Sequence, residues 1–237
     1  MIRDKFYYEK LCKTMLELKY GEKFYDLELC DRPDLQNSSA SIGIEVTRAI
    51  FPNEGELLAF VNKNLSNKYS ELSQKLLQKL GFERPPIKEG FFFVQKNSTG
   101  YKLLYFKVPK SETLILFGMI SPLEKINSCL NGTIKSIKDK ITKLKNNYFR
   151  FGENDLILVI EEQLNYLALS EEIKSDLIHD IINIIKQEYA LWQNNEKYEY
   201  VYILFLDNLV EIDCGNWEYQ IKTITQEDLN FFATQIS

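Results

Sequence analysis

The stretch "RPDLQNSSASIGIEVT", Arg32 to Thr47, decides the fold. Its middle, "SSAS", is small and polar, as a turn requires. The flanks, Pro33 to Asn37 and Ile42 to Thr47, read as two antiparallel strands in which residue i faces residue 79 − i. Leu35 then faces Ile44, Gln36 faces Gly43, and Asp34 faces Glu45. Side chains alternate with period two. Leu35, Ile42, Ile44 and Val46 therefore share one face, and Asp34, Gln36, Glu45 and Thr47 share the other. A slip of one residue would mix these sets, which supports the register.

This register makes two carboxylates cross-strand neighbours, with Cβ atoms about 4.5–5.5 Å apart. Acids are depleted in strands, and like charges directly opposite destabilise a pair. Wide solvation, a nearby Lys or Arg, a shared proton or a divalent cation would each offset the repulsion. The plain reading is an exposed hairpin face with solvated acids. The sharper one is a metal site. A hard cation such as Mg²⁺ takes carboxylate oxygens, and it can activate water and stabilise charge on a phosphate.

The rest of the chain narrows the chemistry. Its 237 residues, 45% apolar and 27% charged, suit a globular chain with a real core. The net charge of −5 argues against a strongly basic nucleic-acid binder but leaves room for local basic patches. There is one histidine, His179, in the helical-looking "EEIKSDLIHDIINIIKQEY", where a polar helix position is expected. A Ser-His-Asp triad, a Cys-His pair or a His-rich metal site would have to use it, and nothing around it resembles such a motif. Cys12, Cys30, Cys129 and Cys214 are far apart, form no Cys-x-x-Cys, and read as free buried thiols. Neither G-x-x-x-x-G-K-[ST] nor G-x-G-x-x-G occurs. Hydrolytic chemistry would have to rest on carboxylates, lysines and a bound metal. "MIRDKFYYEK" lacks an apolar core of signal-peptide length. The longest apolar run, "YVYILFL", is too short for a bilayer. A cytoplasmic protein with no membrane association is expected.

Working outward, Asp4 to Leu18 reads as a helix ended by Gly21. "FYDLELC" alternates as a strand would. The leucine-rich run from Glu54 to Leu80 reads as a second helix, closed by Gly81. "FFFVQ", "YKLLYFKV" and "TLILFGMI" are strand candidates. Ser121-Pro122 opens a helix to about Asn146. "DLILVIEE" is a buried strand. Ser170 opens a long helix to about Trp192. "YEYVYILFL" and "LVEIDC" are strands, and a last helix begins near Gln226. Without a repeat or low-complexity linker, this order predicts one α/β domain with a mixed sheet over 1–237.

"RPDL" and "GIEVT" resemble the paired motif of the PD-(D/E)xK nuclease superfamily: Pro-Asp, a spacer of this length, then an acid-x-Lys on the next strand. The resemblance implies a restriction-endonuclease-like αβββαβ core, a central mixed sheet flanked by helices. The motif-bearing core would run over about 4–162, with extra C-terminal strands and helices over 163–237. It implies a magnesium-dependent (or manganese-dependent) nuclease acting on nucleic acid, DNA ahead of RNA. Asp34, Glu45 and the carbonyl of Val46 would ligate Mg²⁺ or Mn²⁺. Many nucleases of this fold pair to cut two strands, so a homodimer is a further implication.

Thr47 departs from the pattern, which wants lysine, because threonine cannot supply positive charge. A lysine reaching in from another element would restore it. On the helix Pro122 to Asn146, Lys138 and Lys140 flank the apolar stripe Ile126, Leu130, Ile134, Ile137, Ile141 and Leu144, whereas Lys135 and Lys143 point further away. "IKDKITKLKNNY" is similar to what relatives with an E-x-T motif carry, so Lys140 and then Lys138 are the expected stand-ins. Glu9 and Glu17 are first-helix candidates for a further acid, and Gln36 for contact with a bound water. Two other readings stand beside the nuclease: the fold kept for binding without cleavage, and an unrelated α/β protein with an acidic hairpin.

Overall fold

The computed structural model describes residues 5–49, 59–61, 66–68, 77–78, 90–95, 101–120, 122–145, 151–160, 170–191 and 197–236. The chain forms two compact units. One comprises 1–2, 50–129 and 162–174, and the other 3–49, 130–161 and 175–237.

The second unit holds the opening stretch. Helix α1 (Lys5–Tyr20) leads through a 3₁₀ turn (Gly21–Phe24) into β1 (Glu28–Leu29), β2 (Leu35–Asn37) and β3 (Ile42–Arg48). Later come most of α2 (Pro122–Lys145), then β8 (Glu153–Val159), most of α3 (Glu171–Ala190), β9 (Tyr200–Leu204), β10 (Asn208–Asp213), β11 (Tyr219–Thr223) and α4 (Gln226–Ile236). The strands make one seven-stranded mixed sheet in the order β1-β2-β3-β8-β9-β10-β11. Pairings β3–β8 and β8–β9 are parallel and the others antiparallel. Parallel neighbours need long crossovers, and α2 and α3 lie in these two connections. The architecture is α/β with a mixed sheet flanked by helices.

The β2–β3 hairpin has the expected register, with Leu35 opposite Ile44 and Gln36 opposite Gly43. Asn37 Oδ1 accepts from Ala40 N at 3.0 Å and from the Ser39 hydroxyl at 2.7 Å, which closes the turn. Leu35, Ile42, Ile44 and Val46 are buried in one cluster with Tyr8, Cys12, Met15 and Leu16 of α1 and Phe232 of α4. That row extends through Ile157 of β8 to Tyr202 and Leu204 of β9. The alternate row, carrying Glu45 and Thr47, continues through Leu156 and Leu158 to Val201 and Ile203, and contacts α2 through Thr47 and Glu45.

The first unit contains β4 (Ser66–Lys68), β5 (Gly90–Gln95), β6 (Tyr101–Lys107) and β7 (Thr113–Ile120) in an antiparallel sheet ordered β4-β7-β6-β5.

Three expectations need correction. "FYDLELC" gives only the two-residue β1, because Gly21–Phe24 winds into a 3₁₀ turn and buries Phe24. The helix expected over 54–80 is interrupted: Ser66–Lys68 is a strand paired with β7. Ser and Asn are weak helix formers, and they fall in the gap between Leu65 and Leu72. Most of the remaining segment lies outside the described residues. Strand β11 was not foreseen, since "YQIKT" is largely exposed and carries little apolar signal. Among the described residues no helix is long and apolar enough to cross a membrane.

Candidate functional site

Asp34 and Glu45 are not solvated. They are 2% and 1% exposed, which removes the plain hairpin reading. Asp34 stands at the end of the hairpin ladder, one step beyond the last paired residues. There its Oδ2 accepts from Val46 N at 2.8 Å. In an extended strand the N–H and C=O of one residue point to the same side. The Val46 carbonyl is therefore directed to the Asp34 side, past the end of β2.

Gly43 positions this end of the site. A Cβ there would lie 2.7 Å from the Phe151 ring and 2.8 Å from Pro33 Cγ. Its absence lets Pro33 lie against β3 and fixes the start of the strand that carries Asp34. Gln36 holds the same turn. Its Nε2 donates to the carbonyls of Arg32 and Pro33 at 2.8 and 3.2 Å, so its amide N–H groups serve the backbone.

The repulsion between the acids is offset by an ammonium. Lys140 Nζ donates to Glu45 Oε2 and lies 3.9 Å from Asp34 Oδ2. One helical turn earlier, the Ser136 hydroxyl lies 3.3 Å from that of Thr47. Four residues of helix rise about 6.0 Å, and two residues of strand about 6.6 Å. An antiparallel α2 thus matches Ser136 to Thr47 and Lys140 to Glu45.

Lys138 goes elsewhere. Its side chain is 54% exposed and its Nζ is 3.3 Å from Glu188 Oε1 on α3. Residues two apart on a helix differ by about 200° in direction, so Lys138 and Lys140 serve opposite flanks. Lys143 was expected to point away, yet its charge acts on Glu45, because three residues bring it back over the Lys140 turn.

Burial is the main cause holding the Glu45 carboxyl above its ordinary range. The charge of Lys140 and its hydrogen bond pull it down, Asp34 pushes it up, and Lys143 pulls it down. Of the first-helix acids, Glu9 is buried, and its charge joins that of Asp34, after burial, in raising the Cys12 thiol. Glu17 is paired with Lys13 and lines an open groove with Tyr25, Asp26 and Phe231. All four cysteines are free, but only Cys12 and Cys129 are buried; Cys30 and Cys214 are partly exposed, which corrects the expectation of four buried thiols. His179 is exposed on α3, its Nδ1 2.8 Å from the Ser175 carbonyl.

A residue that sequence reasoning missed is Tyr198, two positions before β9. It is 1% exposed. Its phenol is raised first by burial, then by Glu45 and Asp34. No sequence pattern marks it, since it sits outside the strand period.

Among the described residues no group of three or more His, Cys, Asp or Glu could hold a metal. The donors that converge are two carboxylates and one backbone carbonyl, a hard oxygen set that suits Mg²⁺ with water in its remaining positions. No family model, no curated protein and no solved structure matches the chain.

Proposed function

We propose that this chain is a metal-dependent nuclease that hydrolyses phosphodiester bonds of DNA or RNA on a restriction-endonuclease-like core. The observation that carries the reading is the convergence of Asp34, Glu45 and Lys140 from two strands and a distant helix. Within the second unit, with the β4–β7 segment set between β3 and α2, the order α1, β1, β2, β3, α2, β8 supports the αβββαβ core. So does the lysine that stands in for Thr47.

In this reading Asp34, Glu45 and the Val46 carbonyl hold Mg²⁺ or Mn²⁺. The ion supplies Lewis-acid activation of water and neutralises phosphate charge. Asp34 is fixed by the Val46 N–H, so one ligand is oriented before anything binds. The Lys140 ammonium, placed between the two acids, would orient the attacking water or stabilise the charge that develops on the phosphoryl group. Raising the Glu45 carboxyl makes protons compete with the cation, so affinity falls as pH drops.

A second reading, binding without cleavage, has one observation in its favour. Lys140 already neutralises the buried acids, so the site is complete as a structural ion cluster. Two experiments separate the readings. Calorimetry with Mn²⁺ should show binding to the wild-type chain and none to Asp34→Ala. Incubation with plasmid, single-stranded DNA and RNA should show cleavage that Glu45→Ala abolishes. Metal binding without cleavage of any substrate would favour the second reading, and equal binding by both chains would remove the metal site.

A further inference from the structure

The seven-stranded sheet ends on two unlike edges. At one end β1 has only two residues, and so short an edge offers a partner strand little to pair with. At the other end β11 runs over five residues, "YQIKT", and is largely exposed. Ile221 is 52% exposed, although Val210 opposite it on β10 is buried.

The ladder fixes which main-chain groups β11 leaves over. Just beyond the paired residues, Ile224 N donates to Asp207 O at 2.7 Å and Asp213 N to Glu218 O at 3.0 Å. Bonded and non-bonded pairs alternate along an antiparallel ladder. Gln220 and Lys222 therefore bond inward to β10. The N–H and C=O groups of Tyr219, Ile221 and Thr223 point outward, and among the described residues none of them has a partner.

Sheet edges are usually blunted by proline, a bulge or a projecting charge. β11 contains no proline and pairs with β10 residue for residue, without a bulge. Its one charge, Lys222, is drawn back over the sheet, its Nζ 4.6 Å from the centre of the Tyr20 ring. The open edge is complementary to itself. Two copies laid antiparallel about Ile221 set Ile221 against Ile221, Tyr219 against Thr223 and Gln220 against Lys222. Every outward N–H then meets an outward C=O. Aromatic and β-branched side chains meet on one face. On the other face Gln220, bonded to Glu211, stands between that carboxylate and the second copy's Lys222. Acid, amide and cation follow in one row, and no like charges are opposed.

We propose that β11 is a self-association edge, through which two copies of this chain pair antiparallel over Tyr219–Thr223 about a two-fold axis at Ile221. The inference is independent of the nuclease reading. β3 lies four strand spacings from β11, so the two Glu45 strands stand about 40 Å apart along the joined sheet, and neither copy lends a residue to the other's acids. One strand a side is a small interface, so the dissociation constant is on the order of 10–100 μM.

Sedimentation equilibrium of the full chain up to about 1 mM spans that range. The mass should rise with concentration to that of two chains and no further, because an isologous edge is used up by pairing. Ile221→Lys sets two ammoniums opposite each other. It should weaken association about tenfold or more and leave the unfolding midpoint nearly unchanged, since the position is half exposed. Ile221→Cys should cross-link two chains on mild oxidation, because Cα atoms of a bonded pair lie about 5.5 Å apart, within disulfide reach. Tyr219→Cys should not, because its two copies would lie about 13 Å apart along the strands. A single-chain mass at every concentration would overturn the inference. So would species larger than two chains, a dimer that Ile221→Lys leaves intact, or cross-linking of Tyr219→Cys as fast as that of Ile221→Cys. If Ile221→Lys does not fold, the two cysteine variants decide. None of these outcomes bears on the metal site, which Mn²⁺ calorimetry tests separately.

Discussion

Two acid pairs lie on opposite faces of the same sheet, each with at least one fully buried carboxyl. On one face, Glu45 with Asp34 is met by the Lys140 ammonium and a backbone N–H. On the other, Asp155 lies in the row of Ile44 beside Glu153. Here Lys23 sits 2.9 Å from Glu153 Oε1, over the Tyr200 ring at 3.9 Å. Asp155 Oδ1 accepts from Tyr200 N at 3.1 Å. Its Oδ2 is buried without a hydrogen-bond donor, whereas Glu153 Oε1 has the Lys23 ammonium beside it. Asp155 is raised well above its usual range, first by burial and then by Glu153, with Lys23 only partly opposing. In one pair the ammonium reaches both acids; in the other it pairs with Glu153, and burial favours the protonated form of Asp155.

Lys140→Met should break this difference most. Two buried carboxylates would lose their counter-ion, a cost of about 3–5 kcal/mol, read as a lower urea midpoint at pH 8. Added Mn²⁺ should recover part of the loss, and lowering the pH should recover part by letting the pair take up a proton. A variant as stable as wild type would show that the ion cluster is not what holds this face. Gly43→Ala should disturb the same site without touching charge. The added Cβ would push on Pro33 and Phe151 at about 1–3 kcal/mol, and Mn²⁺ affinity should fall with the displaced Asp34.

Asp155 and Glu45 set the pH dependence. Asp155 and Glu45 both keep their protons to higher pH in the folded chain than in the unfolded one. The folded state therefore binds more protons above the ordinary carboxylate range. Stability is fullest below that range and falls as pH rises until the folded carboxyls ionise. Asp155→Asn keeps the acceptor for Tyr200 N and gives Glu153 a donor. It should flatten this fall and gain about 1 kcal/mol at pH 8, measured by urea unfolding at pH 5 and pH 8. The smallest effect is expected for Lys138→Ala. Its half-exposed pair with Glu188 is worth under about 1 kcal/mol, and Mn²⁺ binding should not change.

What the sequence disclosed and what it hid follow from range. The hairpin register was legible because alternation and turn chemistry act within sixteen residues, and a slip would have exposed Leu35 and Ile44. Lys140 was legible only through helical geometry combined with the missing charge at Thr47. Which flank of α2 would face β3 was set by α3, whose Glu188 claims Lys138, and no local pattern records that. Tyr198 was hidden for the same reason: its place depends on a clamp from Tyr189 and on β9 lying next to β8. β4 was missed because its pairing with β7 overrides a leucine pattern on either side of it.

Glu45 and Lys140 are separated by 95 positions in the chain. Closing so long a loop adds little to the equilibrium cost, since each doubling of length costs only about 0.6 kcal/mol. In time it matters more, because contacts of such separation form slowly. The hairpin that aligns Asp34 with Glu45 is local and can form on its own timescale. Its counter-charge arrives only after roughly a hundred further residues have been made and packed. A newly synthesised chain therefore passes through an interval in which two acids stand side by side with only the Val46 N–H on Asp34 and no ammonium beside them. During that interval, solvent protons or ambient divalent cations are the counter-charges on offer.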